Sequence, residues 1–458
     1  MRLDWLSVRN FRKFSELSVG FDPRLTVLVG SNGMGKTAVL DAAAVMLGTF
    51  LAKIPDVYGP SIQRADARRV RYVLDGVYDT QRQFPVEITA RGALAFPGKE
   101  PERGDSDMVS WSRALRRADG KMTVADAHEM ISLSDAYQNG VRTDPSTVLP
   151  LLGYYGTDWL WPRDRRQWKT HSDAYLQAGN RFGGYDGCLN SAVSYKQMAT
   201  WFKKMTAEED RRRTTIASYQ AVRDVVSACL GMITGHDGAR VDYADGGMLV
   251  SYVAPDGSVC DDEPFESLSD GYRVTVGMVA DMAYRMAMLN PGLGRLAVER
   301  TPGVVLVDEV DLHLHPLWQE RILSVLTGLF PKVQFIVSTH APLVISSVGG
   351  SHVRALTFDP GTGIARAEAP SFETYGQPVS DTVTSVQGGH DLPEPVRRLL
   401  SGVEAALDDG DYDAAKDRLE ELSGLVGDTN SRYVEARTAY DFLSGGGATE
   451  CGREPVDA

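Results

Sequence analysis

Long apolar runs and paired cysteines are both missing from this sequence of 458 residues. It has no stretch of about 18 consecutive apolar residues, which a membrane-spanning helix would need. Asp4 interrupts the N-terminus where a signal peptide would require an apolar core. The four cysteines, none in a CxxC pair, are expected to be reduced packing thiols rather than metal ligands or disulfides. These absences predict a cytoplasmic protein that makes no contact with a membrane.

An excess of basic residues is also missing. The net charge is −13, which argues against a surface that coats nucleic acid indiscriminately. The negative charge is concentrated at one end, because residues 391–458 contain 16 acidic and 7 basic residues, a net of −9. We interpret this acidic segment as either a solvated helix pair or a docking surface for a basic partner. Local basic clusters occur at 64–71, 113–121, 163–169 and 211–213. They permit DNA contact, although a solvated helix face explains each one equally well.

A glycine-rich segment, "GSNGMGKT" at 30–37, lies between a predicted strand (17–29) and an apolar-striped helix. Strand, glycine loop and helix in this order are the context that a phosphate-binding loop requires. The glycines allow successive N–H groups to point at phosphate oxygens, while Lys36 supplies a charge for them. The Thr37 hydroxyl can bind Mg²⁺. The predicted nucleotide-binding residues are Gly30, Ser31, Asn32, Gly33, Met34, Gly35, Lys36 and Thr37.

Two more apolar strands, 303–309 and 333–340, end in residues suited to phosphate chemistry. Asp308 is predicted to hold the Mg²⁺ shell, and Glu309 to act as the general base that polarises water. His340 ends the other strand at the same edge of a parallel sheet. We interpret it as a catalytic residue that senses the γ-phosphate, although a lone histidine is often a packing residue.

A serine–glycine turn occurs in "SLSDGYR" at 267–273, which we call the signature segment. Ser269, Asp270 and Gly271 would begin a helix and offer a second anion site. Such a turn on its own is usually just a helix cap. Its position after the phosphate loop and before the two acidic residues makes it informative.

These four motifs, in this order, resemble those of the ABC ATPases, with "LSDGYR" standing where that family has its signature. The resemblance implies that Ser269 and Gly271 act in trans on ATP held by Lys36 of a second subunit, in a head-to-tail dimer. "DLHLHP" is similar to the family's D-loop, which implies that Asp311 contacts the partner subunit. Gln63 is the candidate for the metal-binding Q-loop glutamine, with a plain polar loop residue as the alternative.

The branch of the family is indicated by spacing and by the N-terminus. About 230 residues separate Thr37 from Leu268, which is too long for a transporter ATPase. "LSVRNFRKFSELSVGF" resembles the N-terminal lobe of the RecF/SMC-like branch. That resemblance implies that a basic residue here touches the nucleotide, namely Arg12 or Lys13, with Arg12 as our assignment. An exposed basic turn is the alternative.

Further segments resemble the Septu-type (PtuA) and retron-associated antiphage defence ATPases. They include "LLGYYGT" (151–157), "MATWFKKM" and the C-terminal helical stretch. Asp158 and Trp159 depart from the pattern of these relatives. The resemblance implies a homo-oligomeric ATP and Mg²⁺-dependent switch that regulates a partner HNH endonuclease (PtuB-like) docked on the C-terminal helices. No nuclease motif is found on this chain. The alternatives are a DNA-repair ATPase that acts directly on DNA and a scaffold that ATP clamps without hydrolysis.

The expected fold is α/β, an ABC-type P-loop ATPase head with a mixed, largely parallel sheet and flanking helices. We expect residues 1–95 to form the N-terminal part of this head and 246–390 its C-terminal part. A mainly helical insertion is expected at 96–245, with a loop over 96–121. An acidic helical docking segment should occupy 391–445, followed by a disordered tail at 446–458.

Overall fold

The computed structural model describes residues 1–74, 77–94, 97, 108–157, 180–190, 195–236, 238–244, 247–254, 256–386, 388–390 and 392–445. The chain divides into two compact units, Met1–Gly388 and Gly389–Ala458. Asp158, Trp159, the basic cluster at 163–169 and the expected tail at 446–458 lie outside the described residues. Among the described helices, none is long and apolar enough to cross a membrane.

The first unit contains both strands and helices. Its strands are β1 (Trp5–Phe11), β2 (Phe14–Gly20), β3 (Leu25–Val29), β4 (Arg69–Leu74), β5 (Val77–Arg82), β6 (Val86–Ala93), β7 (Met108–Leu115), β8 (Leu151–Tyr155), β9 (Arg240–Ala244), β10 (Gly247–Val253), β11 (Val259–Pro264), β12 (Gly303–Val307), β13 (Val333–Ser338), β14 (Val353–Phe358) and β15 (Ala365–Glu368). Its helices are α1 (Lys36–Leu47), α2 (His128–Thr143), α3 (Tyr195–Arg212), α4 (Ala217–Thr234), α5 (Asp270–Leu289), α6 (Ala297–Arg300), α7 (Pro316–Gln319), α8 (Ile322–Leu329), α9 (Pro342–Ser346) and α10 (Val379–Ser385).

The central sheet has six strands in the order β15-β14-β3-β13-β12-β8. All neighbours are parallel except β15, which runs antiparallel to β14. Strands β3, β8, β12 and β13 are buried along their whole length, which explains why they consist of short apolar runs. The expected α/β class is therefore confirmed. Because β13 lies between β3 and β12, the ends of these three strands meet at one edge of the sheet.

A second sheet, of order β2-β1-β6-β7, is antiparallel and half-buried, so β1 and β2 alternate between apolar and polar residues. The predicted strand at 17–29 is in fact two strands. Asp22 separates them, because its carboxylate accepts the N–H groups of Arg24 (2.8 Å) and Leu25 (3.1 Å) and makes a turn. Strands β9, β10 and β11 form a third, antiparallel sheet, and β4 and β5 form a separate hairpin.

The range 96–245 differs from the helical insertion that we expected. It contains α2, α3 and α4, but β7 pairs with β6 and β8 pairs with β12. The loop expected over 96–121 is wrong at Met108–Leu115, which is strand β7. The strand β8 was missed because a run of five apolar residues shows no hydrophobic periodicity. Without it, a buried strand cannot be distinguished from a buried segment of helix. By contrast, the predicted strand–turn–strand after His340 is confirmed: Asp359 accepts the N–H of Gly361 between β14 and β15.

Within its described residues, the second unit contains three helices. They are α11 (Glu394–Asp408), α12 (Tyr412–Val426) and α13 (Ser431–Leu443). Val396, Leu399 and Leu422 form its small apolar core. Capping side chains fix two of the helix starts, since Asp411 accepts the N–H of Ala414 and Asn430 that of Arg432. Helix α13 has no buried residue within this described unit.

Candidate functional site

The loop at 30–37 joins β3 to α1 and has the backbone of an anion site. Gly30, Gly33 and Gly35 have φ angles of 148°, 77° and 98°, which side-chain-bearing residues rarely adopt. At Gly35 a Cβ atom would lie 2.3 Å from the Phe14 ring, so glycine is also required by packing. No side chain caps the first turn of α1. Its N–H groups can therefore donate to a phosphate, as helix N-termini commonly do.

Lys36 lies buried under this loop and contacts the histidine at the end of β13. Its Nζ donates to the carbonyl of Gly30 (2.8 Å) and to Nε2 of His340 (2.6 Å). Burial lowers the pKa of both groups, and the charge of Lys36 lowers the pKa of His340 further. A neutral imidazole can accept this hydrogen bond, whereas an imidazolium could not. The contact brings together two residues 304 positions apart that the sequence placed in one site.

Thr37 and Asp308 are in direct contact at the same edge. The Thr37 hydroxyl donates to Oδ2 of Asp308 at 2.8 Å, and the hydroxyl of Ser338 donates to Oδ1 at 2.5 Å. A hydroxyl beside a carboxylate is a donor set that suits Mg²⁺, which binds proteins through one or two such groups and completes its shell with phosphates and water. The residues present therefore fit the predicted metal. Sequence reasoning missed Ser338, although it lies two positions before His340.

Glu309 follows Asp308 in a left-handed conformation, with φ 51°. Its N–H donates to Oγ of Ser338 at 2.8 Å, which fixes the turn. Burial raises the pKa of the Glu309 carboxyl, and the negative charges of Asp308 and Asp311 raise it further. A carboxylate with a raised pKa is a stronger base, which suits the predicted role in activating water. Asp311 itself accepts a hydrogen bond from the hydroxyl of Thr339 at 2.5 Å.

The signature segment lies at the start of α5. Ser269 and Asp270 are exposed, while Gly271 is buried. A Cβ at Gly271 would lie 2.7 Å from the carbonyl oxygen of His313, in the loop that follows Glu309. The glycine thus fixes the signature helix against the loop that carries the acidic residues, and the serine beside it faces outward.

In this structure the guanidinium of Arg12 forms ion pairs with Asp41 and Asp66, and its role toward the nucleotide stays a prediction. The alternative, the neighbouring Lys13, contacts the phosphate loop, because its Nζ donates to the carbonyl of Gly33 (2.5 Å). The same ammonium lies over the Phe358 ring, 3.5 Å from its centre.

Among the contacts described, Gln63 has none with Thr37 or Asp308, the two residues suited to bind Mg²⁺. Its side-chain amide donates to Oγ of Ser61 at 2.6 Å, and its N–H donates to Asp66. The arrangement fits the alternative interpretation, a polar loop residue at a helix start. Metal binding by Gln63 thus stays a prediction without support from the contacts described.

Sequence reasoning also missed a buried polar network beside the site. Tyr155, at the end of β8, donates through its hydroxyl to Asp281 on α5 at 2.7 Å. Arg285 donates to the same carboxylate oxygen at 2.7 Å and is fully buried. Tyr155 also accepts the N–H of Asp308 through its carbonyl at 2.8 Å. The signal in the sequence was an Asp and an Arg four residues apart within the mainly apolar second half of this helix.

Comparisons with known proteins agree with this geometry. A family model described as an AAA domain matches residues 6–152, and a second AAA domain model matches residues 285–346. The retron Vc95 probable ATPase of Vibrio cholerae is 22% identical over 409 residues, covering 78% of this chain and 73% of that protein. The retron Ec83 probable ATPase of Escherichia coli is 23% identical over 421 residues, covering 77% and 71%.

Two shorter or more distant likenesses complete the comparisons. The Septu protein PtuA of Bacillus thuringiensis is 27% identical over 152 residues, covering 32% of this chain and 37% of that protein. A solved Smc head bound to the C-winged helix domain of ScpA covers 80% of this chain and 98% of that one, at 14% identity and a TM-score of 0.48. Together with the converging phosphate loop, acidic strand end and histidine, the matching AAA domain models and the sequence relatives support a P-loop ATPase that is related to the retron and Septu ATPases.

Proposed function

We propose that this protein is an ATP-dependent switch in bacterial antiphage defence, which dimerises around ATP and regulates a partner nuclease. The observation that carries the proposal is the exposed signature segment. Ser269 and Asp270 face outward at an uncapped helix start, while Gly271 anchors that start to the loop after Glu309. A helix N-terminus held in this way suits a phosphate supplied by a second subunit.

Each chain would contribute the rest of one site. The loop N–H groups and Lys36 would bind the phosphates of ATP, with Lys36 exchanging its contact with His340 for phosphate oxygens. Thr37 and Asp308 would hold Mg²⁺, which supplies charge neutralisation at the phosphates when it is bound. Glu309 would accept a proton from the attacking water. His340, released from Lys36, would then be free to donate to the γ-phosphate.

The shared site is tested with the Glu309→Gln variant, which keeps the size of the side chain but cannot take the proton. We expect hydrolysis to fall by at least about 100-fold, because general bases typically contribute 10²–10⁴-fold. We also expect ATP and Mg²⁺ to produce a stable dimer of this variant in size-exclusion chromatography with light scattering. Unchanged turnover would contradict the assignment of the base. It would also leave the ATP-clamped scaffold as the better account of any dimer.

The trans role is tested by adding Ser269→Arg to the Glu309→Gln chain. The monomer should bind ATP as before, because Ser269 would serve the partner's nucleotide, but the ATP-dependent dimer should be lost. Asp135→Arg, at an exposed position on α2, is the matched control and should leave dimerisation intact. Loss of ATP binding by the Ser269→Arg monomer would show that the serine acts within its own chain, which contradicts the shared site.

Docking of the nuclease is proposed on the second unit. A groove of about 380 Å³ runs between α11 and α13. Its lining includes the apolar residues Leu400, Val403 and Ala436 as well as charged ones such as Arg397 and Glu404. Helix α13 also exposes two apolar side chains, Phe442 at 80% and Val434 at 47%. Exposed apolar patches commonly mark protein-binding sites. An apolar helix face and a groove are the features that a partner helix binds.

The docking surface is tested by co-purification with any small HNH protein that proves to be encoded beside this one. Val434→Glu with Phe442→Glu should abolish co-purification and leave ATP hydrolysis by the chain alone unchanged. Tyr412→Glu, another exposed residue of the same unit, should leave co-purification intact and serves as the control. Retention of the nuclease by the double variant would place docking elsewhere.

A further inference from the structure

The hairpin of β4 and β5 has exposed side chains on both faces. Val73 is 64% exposed, Tyr78 60% and Tyr72 41%, so neither face is covered by the core. The base of the hairpin is fixed, because the N–H of Arg68 donates to the carbonyl of Asn10 at 2.9 Å. The hairpin is thus a ribbon held at one end. A two-stranded hairpin that buries little is marginal on its own, and such a surface commonly has a binding role.

Alternation along the strands separates the charges of this hairpin onto two faces. Residues paired across the strands point to the same side, and so do residues two apart. One face, which we call the arginine face, consists of Arg69, Arg71, Val73, Tyr78, Thr80 and Arg82. The described acidic residue of the hairpin, Asp79, lies on the opposite face and accepts the Gln81 amide at 2.7 Å. The arginine face therefore carries three positive charges and, among the described residues, no carboxylate.

Contacts within the arginine face orient its guanidinium groups. That of Arg71 lies over the Tyr78 ring, 3.4 Å from its centre. Arg82 donates to the backbone carbonyl of Arg64 at the base of the hairpin. Neither Arg69 nor Arg71 forms an ion pair within the described part of the chain. Their charges are thus available to an anionic ligand, and the aromatic ring reduces the number of rotamers that Arg71 must give up on binding.

In the other basic clusters that the structure describes, part of the charge is satisfied within the chain. In the cluster at 113–121, Arg113 is buried and donates to the carbonyl of Thr123 at 2.6 Å. In the cluster at 211–213, Arg211 and Arg212 both pair with Glu208, at 2.6 and 2.5 Å. Charges satisfied within the chain attract a polyanion less, so the hairpin is the favoured surface among these three.

We propose that the arginine face binds the phosphate backbone of nucleic acid, a role additional to the ATP-dependent switch. The three guanidinium groups suit a ligand with regularly spaced negative charges. The narrow antiparallel ribbon that carries them has the dimensions that the major groove of a duplex admits. Arginine also binds phosphate through paired donors, which favours this ligand over a scattered carboxylate surface. Contacts of this kind carry little sequence information, so binding depends on salt rather than on base sequence.

The proposal is tested by fluorescence anisotropy with the full chain and labelled probes: a short duplex DNA, one of its strands alone, and the matching RNA strand. Arg69→Gln with Arg71→Gln should weaken binding and reduce the magnitude of the slope of log K against log salt by about 2, since each phosphate contact contributes about 0.9 on a duplex. Arg69→Lys with Arg71→Lys keeps both charges and should keep the slope. Arg211→Gln with Arg212→Gln changes the net charge equally and should also keep it.

Several outcomes would overturn the proposal. One is equal loss of binding in the hairpin variant and the 211/212 control, which would indicate a nonspecific charge effect. Another is an unchanged slope in the Arg69/Arg71 glutamine variant. A third is failure of the unmodified chain to bind any of the nucleic acids while it binds polyglutamate, which would indicate an acidic protein partner. Stronger loss on duplex than on single strands would identify the groove of a duplex as the ligand. None of these results depends on ATP hydrolysis, so they are independent of the switch mechanism.

Discussion

Replacement of Asp281 by Asn should destabilise the protein far more than the small change in side-chain volume suggests. The side chain keeps its volume, so no cavity forms, but Arg285 loses the only carboxylate that contacts it in the described structure. Arg285 has no exposure to water, and its Nη2 has no hydrogen-bond partner there. Removing one member of a buried ion pair leaves an uncompensated charge, at a cost of about 3–5 kcal/mol. The Tyr155 hydroxyl would also lose a charged acceptor, which falls within the same range.

Urea denaturation of the full chain, followed by tryptophan fluorescence, measures this cost from the change in midpoint at constant m-value. Tyr155→Phe removes one hydrogen bond but keeps the ion pair, so we expect a smaller loss of about 1–3 kcal/mol. Asp135→Asn, at an exposed position, should change the free energy of unfolding by less than about 0.5 kcal/mol. A loss below about 1 kcal/mol for Asp281→Asn would refute the reasoning, because the carboxylate would then not be compensating the guanidinium.

Three further results are expected. The rate of ATP hydrolysis should fall as the pH drops through the pKa of Glu309, which lies above its ordinary 4.5, because the base must be ionised. Asp311→Asn removes a nearby negative charge and should therefore move the acid limb of the pH–rate profile to lower pH. If the limb does not move in a pH–kcat profile, Glu309 is not the titrating base. Gly271→Ala should cost about 1–3 kcal/mol in urea denaturation, because its methyl group would lie 2.7 Å from a backbone oxygen, and no loss would contradict this packing. Lys13→Ala should weaken ATP binding several-fold in calorimetry while Arg12→Lys leaves it nearly unchanged; the opposite order would favour Arg12, the assignment made from the sequence.

The convergence of the candidate nucleotide-binding residues at one edge of the sheet could be predicted because its signals are local. The glycines at 30–35 have backbone angles that other residues avoid, and apolar runs mark the strands on either side. Order along the chain was enough to bring Thr37, Asp308 and His340 together, since parallel strands end at the same edge. This part of the fold needed no knowledge of long-range contacts.

The parts of the fold and site that were missed depend on backbone angles and long-range contacts, which the sequence pattern does not report. Arg12 and Lys13 are neighbours in a turn where Arg12 has a positive φ of 53°, and the sequence alone left both as candidates for the nucleotide contact. Strand β8 is too short to show a period. The link between Tyr155 and Asp281 joins residues 126 positions apart, and a tyrosine in an apolar run gives no sign of its partner.

The hydroxyl of Ser338 has a consequence for how this site can change. It donates to Asp308 and accepts from the N–H of Glu309, so one small side chain at the end of β13 positions both acidic residues that follow β12. His340 lies two residues further along the chain. A substitution at Ser338 would therefore alter metal binding, water activation and the histidine contact together. Mutational drift or engineering can hardly adjust these three properties one at a time, so the strand end is expected to vary as a block.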